Sequence, residues 1–299
     1  MNKLAPIVLF VYDRLWHTQQ TIEALKKNKF ADKSELFIFS DAPKSNENLE
    51  RVEKVREYIK SINGFMKIHI ILREENWGLA KSIIEGVSTI VNKFGKIIVL
   101  EDDIVTSPTF LVFMNEALNF YQKNQKIWHI SGWNYPIDYG DEDVFMWRGM
   151  ECWGWGTWKD RWQFFDKNPA LLIGKFEKED IFKFNIDNKR DNWRQVVLNH
   201  KKKMNTWAVF WYATIYLNDG LSVNPTFTFV KNIGLDGTGE NCSGIDIFSN
   251  DLNQIENFKL YHSNTESQYY LNEIKTFSDN TKVSLIERVI NKIIKVILR

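Results

Sequence analysis

The residues best placed to do chemistry in this sequence are three adjacent acids, Glu101-Asp102-Asp103. They follow Ile97 to Leu100, a short β-branched apolar run that reads as a strand buried on both faces of a parallel sheet. Adjacent carboxylates leaving a buried strand repel one another and resist desolvation, so they belong where a cation or a set of donors meets them. The edge of an open α/β sheet, where such a strand ends, is where ligands bind. A bland alternative stands beside this one: Asp102 and Asp103 decorating a strand-to-helix turn, since short acidic motifs are common by chance.

Other polar groups recur at equivalent places. Tyr12-Asp13-Arg14 follows the apolar run Ile7 to Val11, Ser40-Asp41 follows Leu36 to Phe39, and Asn76-Trp77-Gly78 follows Lys67 to Leu72. An arginine, amide or carboxylate acceptors and an acidic cluster suit a nucleotide whose diphosphate is bridged to protein by a divalent ion. Each has an ordinary reading as well: Arg14 a surface ion pair, Asp41 an Asx-turn, Asn76 a loop cap. Lys81, one turn into its helix, is placed to approach phosphate, or is simply solvated.

Strands alternating with helices must position these groups. Helices are expected from about Thr18 to Asn28, through Leu49, Val52, Val55, Tyr58, Ile59 and Ile62 until Asn63-Gly64 stops the chain, and from Leu79 to Val91. Ser107-Pro108 is expected to cap the next helix, with Phe110, Leu111, Met114, Ala117, Leu118 and Tyr121 inward. This spacing predicts an α/β fold with a doubly wound, mostly parallel sheet and right-handed crossovers. The absence of a GxGxxG or Walker loop disfavours a dinucleotide Rossmann site or a P-loop.

Composition narrows the classes. The 299 residues are 44% hydrophobic and 14% aromatic, enough for a large buried core. Lys and Arg number 39 against 38 Asp and Glu, so the net charge of +1 gives no argument for nucleic acid. Met1 to Phe10 does not read as a secretory signal and no run reaches a spanning length, so a cytoplasmic location is expected. Cys152 and Cys242 lack metal spacing and are expected as free thiols.

Taken as an ordered set, Pro6 to Arg14, Phe39-Ser-Asp41, Asn76-Trp-Gly-Leu-Ala-Lys81, Leu100-Glu-Asp-Asp103 and Cys152-Trp-Gly-Trp-Gly-Thr-Trp158 resemble the GT-A nucleotide-sugar glycosyltransferases. Within them the chain is similar to bacterial sugar transferases related to N-acetylglucosaminyltransferase I, over roughly Ala5 to Ser243. The resemblance implies that Glu101-Asp102-Asp103 stands for the family's DxD-type motif, Asp103 ligating Mn²⁺ or Mg²⁺ while Glu101 and Asp102 face ribose and donor sugar. Arg14 and Asp41 would meet base and ribose, with Tyr12, Asn76 and Lys81 completing the donor site. The loop Lys231 to Glu240 resembles a segment that closes over the donor phosphates, and its Gly/Asp/Thr composition suits a lid.

The second half is aromatic. Trp147, Trp153, Trp155, Trp158 and Trp162 are interrupted by Gly149, Gly154 and Gly156. Aromatic faces stack on sugar rings, so Trp153 and Trp155 are expected to hold the acceptor, with Trp158 and Trp162 in the core. Helices are expected over Asp191 to Lys203 and Thr206 to Leu217, and an extended segment over Leu221 to Val230. One departure matters: many relatives carry an aspartate base in a Trp-Asp-x-x-Trp pattern, and here Trp207-Ala208-Val209-Phe210-Trp211 places alanine there. An inverting transfer needs a carboxylate to deprotonate the acceptor hydroxyl. Glu151 is the first replacement, followed by Asp236 and Asp191.

The organisation expected is a donor half over 1–125, an acceptor and catalytic half of the same domain over 126–255, and a C-terminal appendage over 256–299. In that appendage Thr281 to Arg299 sets Val283, Ile286, Val289, Ile290, Ile293, Ile294 and Ile297 against Arg288, Lys292, Lys295 and Arg299. Such a helix lies on an anionic membrane surface, here the inner face of the cytoplasmic membrane, or docks on the domain or a partner. The reaction expected from the resemblance is metal-dependent, inverting sugar transfer from a nucleotide sugar, UDP-linked by preference, to a saccharide or lipid-linked saccharide in bacterial surface polysaccharide assembly. Two other classes compete. A nucleotidyltransferase shares the sheet and metal carboxylates but usually has a glycine-rich basic loop after its first strand, and Tyr12 to Trp16 contains no glycine. A catalytically impaired glycan-binding relative is kept open by Ala208.

Overall fold

The computed structural model describes residues 3–138, 140–236, 248 and 250–282. β1 (Ile7–Val11) leads into α1 (Leu15–Lys26), β2 (Glu35–Ser40) into α2 (Asn46–Lys60), and β3 (Lys67–Leu72) into α3 (Gly78–Phe94). β4 (Lys96–Glu101) then carries the acids. All four strands fall within a residue of their expected bounds, because each is a β-branched and aromatic run closed by polar residues. Along β1, β2 and β4 the side chains alternate between two cores. Ile7, Leu9, Leu36, Ile38, Ile98 and Leu100 meet Ile22 and Leu25 of α1 and Val55 and Ile59 of α2. Val8, Phe10, Phe37, Phe39, Ile97 and Val99 meet Ile83, Val87 and Ile90 of α3.

The second half holds β5 (Ile104–Thr106), α4 (Phe110–Phe120), β6 (Ile127–Ser131), β7 (Val144–Trp147), β8 (Trp155–Trp158) and α5 (Lys159–Trp162). It continues through α6 (Pro169–Lys175), α7 (Lys178–Phe184), α8 (Asn192–His200), α9 (Ala208–Leu217), β9 (Leu221–Pro225), β10 (Val230–Asn232) and α10 (Gln268–Asn280). The main sheet has eight strands in the order β3-β2-β1-β4-β8-β6-β9-β7. β8 lies antiparallel between β4 and β6, β9 is parallel to β6, and β7 is antiparallel to β9. Thus β3, β2, β1, β4, β6 and β9 run one way, and only β8 and β7 oppose them. The fold is α/β, with a mixed, mostly parallel sheet flanked by helices.

Two expectations need correction. Ser107 does not cap a helix. β5 pairs with β10 in a separate two-stranded sheet, and the Ser107 amide extends that contact by donating to the Phe229 carbonyl at 2.8 Å. The backbone therefore stays extended through Ser107, and α4 starts only at Phe110, with Thr109 at its N-cap. The stretch from 256 is also not an appendage over its described part. Tyr270, Leu271 and Ile274 of α10 are buried, and Tyr270 stacks on Phe145 at 4.2 Å between ring centroids. The basic amphipathic pattern from Val283 to Arg299 lies outside the described residues. No described helix is long and apolar enough to cross a membrane.

Candidate active site

The carboxyl edge of the first four strands brings Tyr12, Arg14, Asp41, Asn76 and the acidic triplet to one side of the sheet, as the topology of parallel strands requires. Within that edge the groups are largely engaged with one another. The Arg14 Nη2 donates to Asp102 Oδ1 and, at 2.7 Å, to Asp103 Oδ2. Burial pulls the Arg14 guanidinium down, but the charges of Asp102 and Asp103 outweigh it and hold it above its ordinary pKa. Asp102 is pushed up by burial, with Arg14 opposing. Glu101 is raised by burial first and by the Asp103 and Asp102 charges next, with Arg14 opposing.

Asp41 and Asn76 act on the chain itself. The Asp41 carboxylate accepts from the backbone N–H of Ala42 at 3.0 Å, Trp77 at 2.9 Å and Gly78 at 2.8 Å, which seats the N-terminus of α3. Asn76 Nδ2 donates to the Ala42 carbonyl at 2.6 Å. The Tyr12 hydroxyl accepts from the Lys44 amide at 3.0 Å. Lys81 Nζ sits 4.0 Å from the centroid of Trp77, and the Arg73 guanidinium is 3.5 Å from that ring. In this conformation Arg14 Nη2 faces the carboxylates of Asp102 and Asp103, and the Asp41 carboxylate faces backbone amides.

A second segment crosses the acids. The Ile233 amide donates to the Asp103 carbonyl at 2.9 Å, and Gly234 passes so close that a Cβ there would collide with the Asp103 carboxylate and stand 2.9 Å from Arg14 Nη1. Only glycine lets the backbone through. Arg14 Nη1 is buried with no hydrogen-bond partner among the described residues. Asp236 Oδ2 lies 3.1 Å from His17 Nε2, which ties the end of this segment to α1. Residues 237–240 of the expected lid lie outside the described residues.

Glu151 stands just before β8, at the same edge. Its carboxylate is mostly buried and 3.4 Å from Arg190 Nη1. Burial raises its pKa to about 7 against the opposing Arg190 charge. Its backbone carbonyl accepts from Nε2–H of the fully buried His129 at 3.0 Å, while His129 Nδ1 accepts from Trp211 Nε1–H at 3.2 Å. That pair of bonds requires the Nε2–H tautomer, and burial holds the ring neutral by lowering its pKa to about 3. The neighbouring Cys152 is a free thiol pushed up by burial and by the Glu101 and Glu151 charges, which places it between the two acids electrostatically. Cys242 lies outside the described residues.

The aromatic expectations divide. Trp158 and Trp162 are in the core, 1% and 3% exposed. Trp155, expected to hold an acceptor, is 1% exposed and stacks on Trp207 at 5.2 Å, so it is a core residue too. β8 inserts between β4 and β6, so its side chains face helices on both sides. Trp153 is half-buried, edge-on to Trp133 at 4.7 Å, and keeps an exposed part. Ala208, Met150 and Cys152 each pack against the same largely aromatic cluster, so that one cluster supports both the position where an aspartate was expected and the residues flanking Glu151. Asp191, at the N-cap of α8, is exposed beside Arg190.

Sequence reasoning missed His17, His129 and Arg190. A lone histidine or arginine carries no spacing signal, and only tertiary contact brings these to Asp236 and Glu151. Gly234 sits in the glycine-rich loop already singled out.

No protein-family model matches the chain, and no curated protein matches it in sequence. Solved structures give partial likenesses. The mannosyltransferase PcManGT from Pyrobaculum calidifontis, in complex with GDP-Man and Mn²⁺, aligns over 72% of this chain and 70% of its own, with TM-score 0.39 and 7% identity. S. aureus TarS 1-349 aligns over 75% of this chain and 59% of its own, with TM-score 0.41 and 10% identity. At such identities the chemistry has to be argued from this chain's own residues.

Proposed function

We propose that the protein is a GT-A glycosyltransferase that moves a sugar from a nucleotide-sugar donor, UDP-linked by preference, to a saccharide acceptor, with inversion. The observation that carries this reading is the acidic triplet at the carboxyl edge of β4, crossed by the Gly234 segment and sharing that edge with the pKa-raised Glu151. A carboxylate poised near neutral pH beside a diphosphate-suited edge supplies the two functions such a transfer needs, a base for the acceptor and charge compensation for the leaving group.

A divalent ion fits as a half-site. Among the described residues no group of three His, Cys, Asp or Glu side chains could hold a metal. Ions of the Mg²⁺ type, however, need only one or two carboxylates when substrate phosphates and water complete the shell. Asp103, hard and at the edge, is the carboxylate that would hold Mn²⁺ or Mg²⁺ in competition with Arg14. When bound, the ion would offset charge building on the diphosphate. Arg14 keeps the acids together and supplies a fixed positive charge beside them, and the 230–236 segment screens this edge from water. Glu151 accepts the proton of the acceptor hydroxyl, while His129 and Arg190 hold its backbone and its carboxylate. The saccharide or lipid-linked saccharide acceptor, surface polysaccharide assembly and contact of the 281–299 pattern with an anionic membrane extend the same proposal.

Hydrolysis of UDP- and GDP-sugars, followed with Mn²⁺ and with EDTA, tests it. Asp103→Asn keeps the shape and the Arg14 contact, so the expected outcome is loss of metal-stimulated turnover with an unchanged melting temperature. Full activity in EDTA, or in that variant, overturns the metal assignment. A second reading, a glycan-binding relative without turnover, is favoured by Ala208, and absence of hydrolysis with retained nucleotide-sugar binding would select it.

A further inference from the structure

A second cluster of cations takes no part in the proposed reaction. Lys167, Pro169, Asn199, Lys202, Lys203 and Asn205 line an open cleft of about 540 Å³ between the start of α6 and the loop joining α8 to α9. Among the described residues no acid lines it. Three lysines among the residues lining one cleft give it a positive potential that an anion would relieve.

The cleft is built rather than incidental. Asn199, 9% exposed, donates to Thr206 Oγ1 at 2.9 Å and accepts from the Thr206 amide at 3.1 Å, which pins the loop that carries the lysines. Lys167 donates to Asn205 Oδ1 and lies over the Phe210 ring, and partial burial lowers its pKa. Lys202 has φ +54°. The Lys203 amide donates to the Leu198 carbonyl at 2.9 Å and the Lys202 amide to Asn199 at 3.0 Å, a Schellman ending of α8. Glycine suits the left-handed position of that motif, and a lysine there costs about 1 kcal/mol. A residue held in that region at a cost points to a use for its side chain.

We infer that this cleft binds a phosphate or diphosphate group carried by the acceptor. The word acceptor rests on the transfer proposed above. The site is tied to that chemistry through the core: Asn205 precedes Ala208 by three residues, at most about 11 Å of chain, and Ala208 packs on the same cluster as Met150 and Cys152, which flank Glu151. An anion held in the cleft would anchor the acceptor at a distance from its reacting hydroxyl and so raise its affinity without touching the chemistry. Leu171 and Ile173, 39% and 40% exposed, follow the lining residue Pro169 on α6 and offer apolar surface that suits a lipid-borne phosphate.

The test uses inorganic pyrophosphate by titration calorimetry and sedimentation with vesicles of equal parts phosphatidylglycerol and phosphatidylcholine. The full-length protein is compared with Lys202→Gly and with the triple variant Lys167→Gln, Lys202→Gly, Lys203→Gln. The expected result is pyrophosphate binding weakened by about tenfold or more in the triple variant, and more mildly in Lys202→Gly, whose melting temperature holds or rises because glycine suits the turn. Loss of both pyrophosphate and vesicle binding in the triple variant assigns a lipid-borne phosphate. Loss of pyrophosphate binding with vesicle binding absent, or unchanged in the triple variant because the 281–299 pattern carries it, assigns a soluble phosphorylated ligand. Equal pyrophosphate affinity in wild type and the triple variant overturns the proposal, as does lysine-dependent vesicle binding without pyrophosphate binding. Nucleotide-sugar hydrolysis, read separately through Asp103, distinguishes failure of this inference from failure of the proposed reaction.

Discussion

The half of the sheet built from β1 to β4 and the half built from β6 to β9 solve the same packing problem with different materials. In the first, aliphatic side chains alternate between two cores and ask for nothing beyond area. In the second, tryptophans fill the space and each buried indole N–H needs an acceptor. Trp147 finds Asn224 Oδ1 at 2.9 Å, Trp158 the Leu118 carbonyl at 2.9 Å, Trp162 Ser88 Oγ at 2.9 Å and Trp211 His129 Nδ1 at 3.2 Å. The difference teaches where precision is located. An aliphatic layer tolerates small losses of volume, whereas a hydrogen-bonded aromatic layer holds its members, Glu151 among them, in one arrangement.

The comparison breaks most sharply at Glu151. If the aromatic half carries the base, Glu151→Gln lowers kcat by about two to four orders of magnitude with nucleotide-sugar affinity nearly unchanged. The wild-type rate should fall as pH drops through about 7, because the base must be ionised, and that limb should vanish in the variant. The stability sign is opposite. A carboxyl whose folded pKa is raised is stabilising below its unfolded value, and this is lost as pH rises through about 7. Glu151→Gln is therefore expected to match or exceed wild-type Tm at pH 8. Near wild-type kcat removes Glu151 from the mechanism and turns attention to Asp236.

Next in size is Arg14→Met. It leaves Glu101, Asp102 and Asp103 without their counter-ion, and breaking a buried pair from one side costs about 3–5 kcal/mol. Urea unfolding at pH 7 measures it, and the loss should shrink as pH falls and the acids protonate. A variant as stable as wild type would mean that the acids are already neutral.

The smallest effects compare the halves directly. Trp211→Phe keeps most of the ring but leaves His129 Nδ1 buried without a donor, at about 1–3 kcal/mol. Ile98→Val in β4 removes one methylene, at about 0.5–1.5 kcal/mol. Urea midpoints should rank the tryptophan change as the more damaging. The reverse order would show that volume, not hydrogen bonding, limits the aromatic half.

How much of this was legible in the sequence follows from the range of the forces involved. β1 to β4 and their helices are written in local period, since an apolar run and a 3.6-residue repeat need no knowledge of distant residues. Their parallel sense follows from the alternation of strand and helix, which brings Arg14, Asp41 and the triplet to one edge, while the strand order came from the tertiary structure. The helix start at Phe110 was not legible, because the pairing of β5 with β10 joins segments over a hundred residues apart. Nor was the burial of Trp155, since nothing in Cys152 to Trp158 says that its strand inserts between β4 and β6. The residue types of the candidate site belong to the sequence alone: three acids after a strand, an arginine, and an alanine where the resemblance led one to expect a base. Their partners were decided by tertiary structure. Arg14 lies on the acids, Asp41 on backbone amides, and Glu151 between Arg190 and His129, because burial demands that each charge and donor be answered by whatever group the fold brings within about 3 Å.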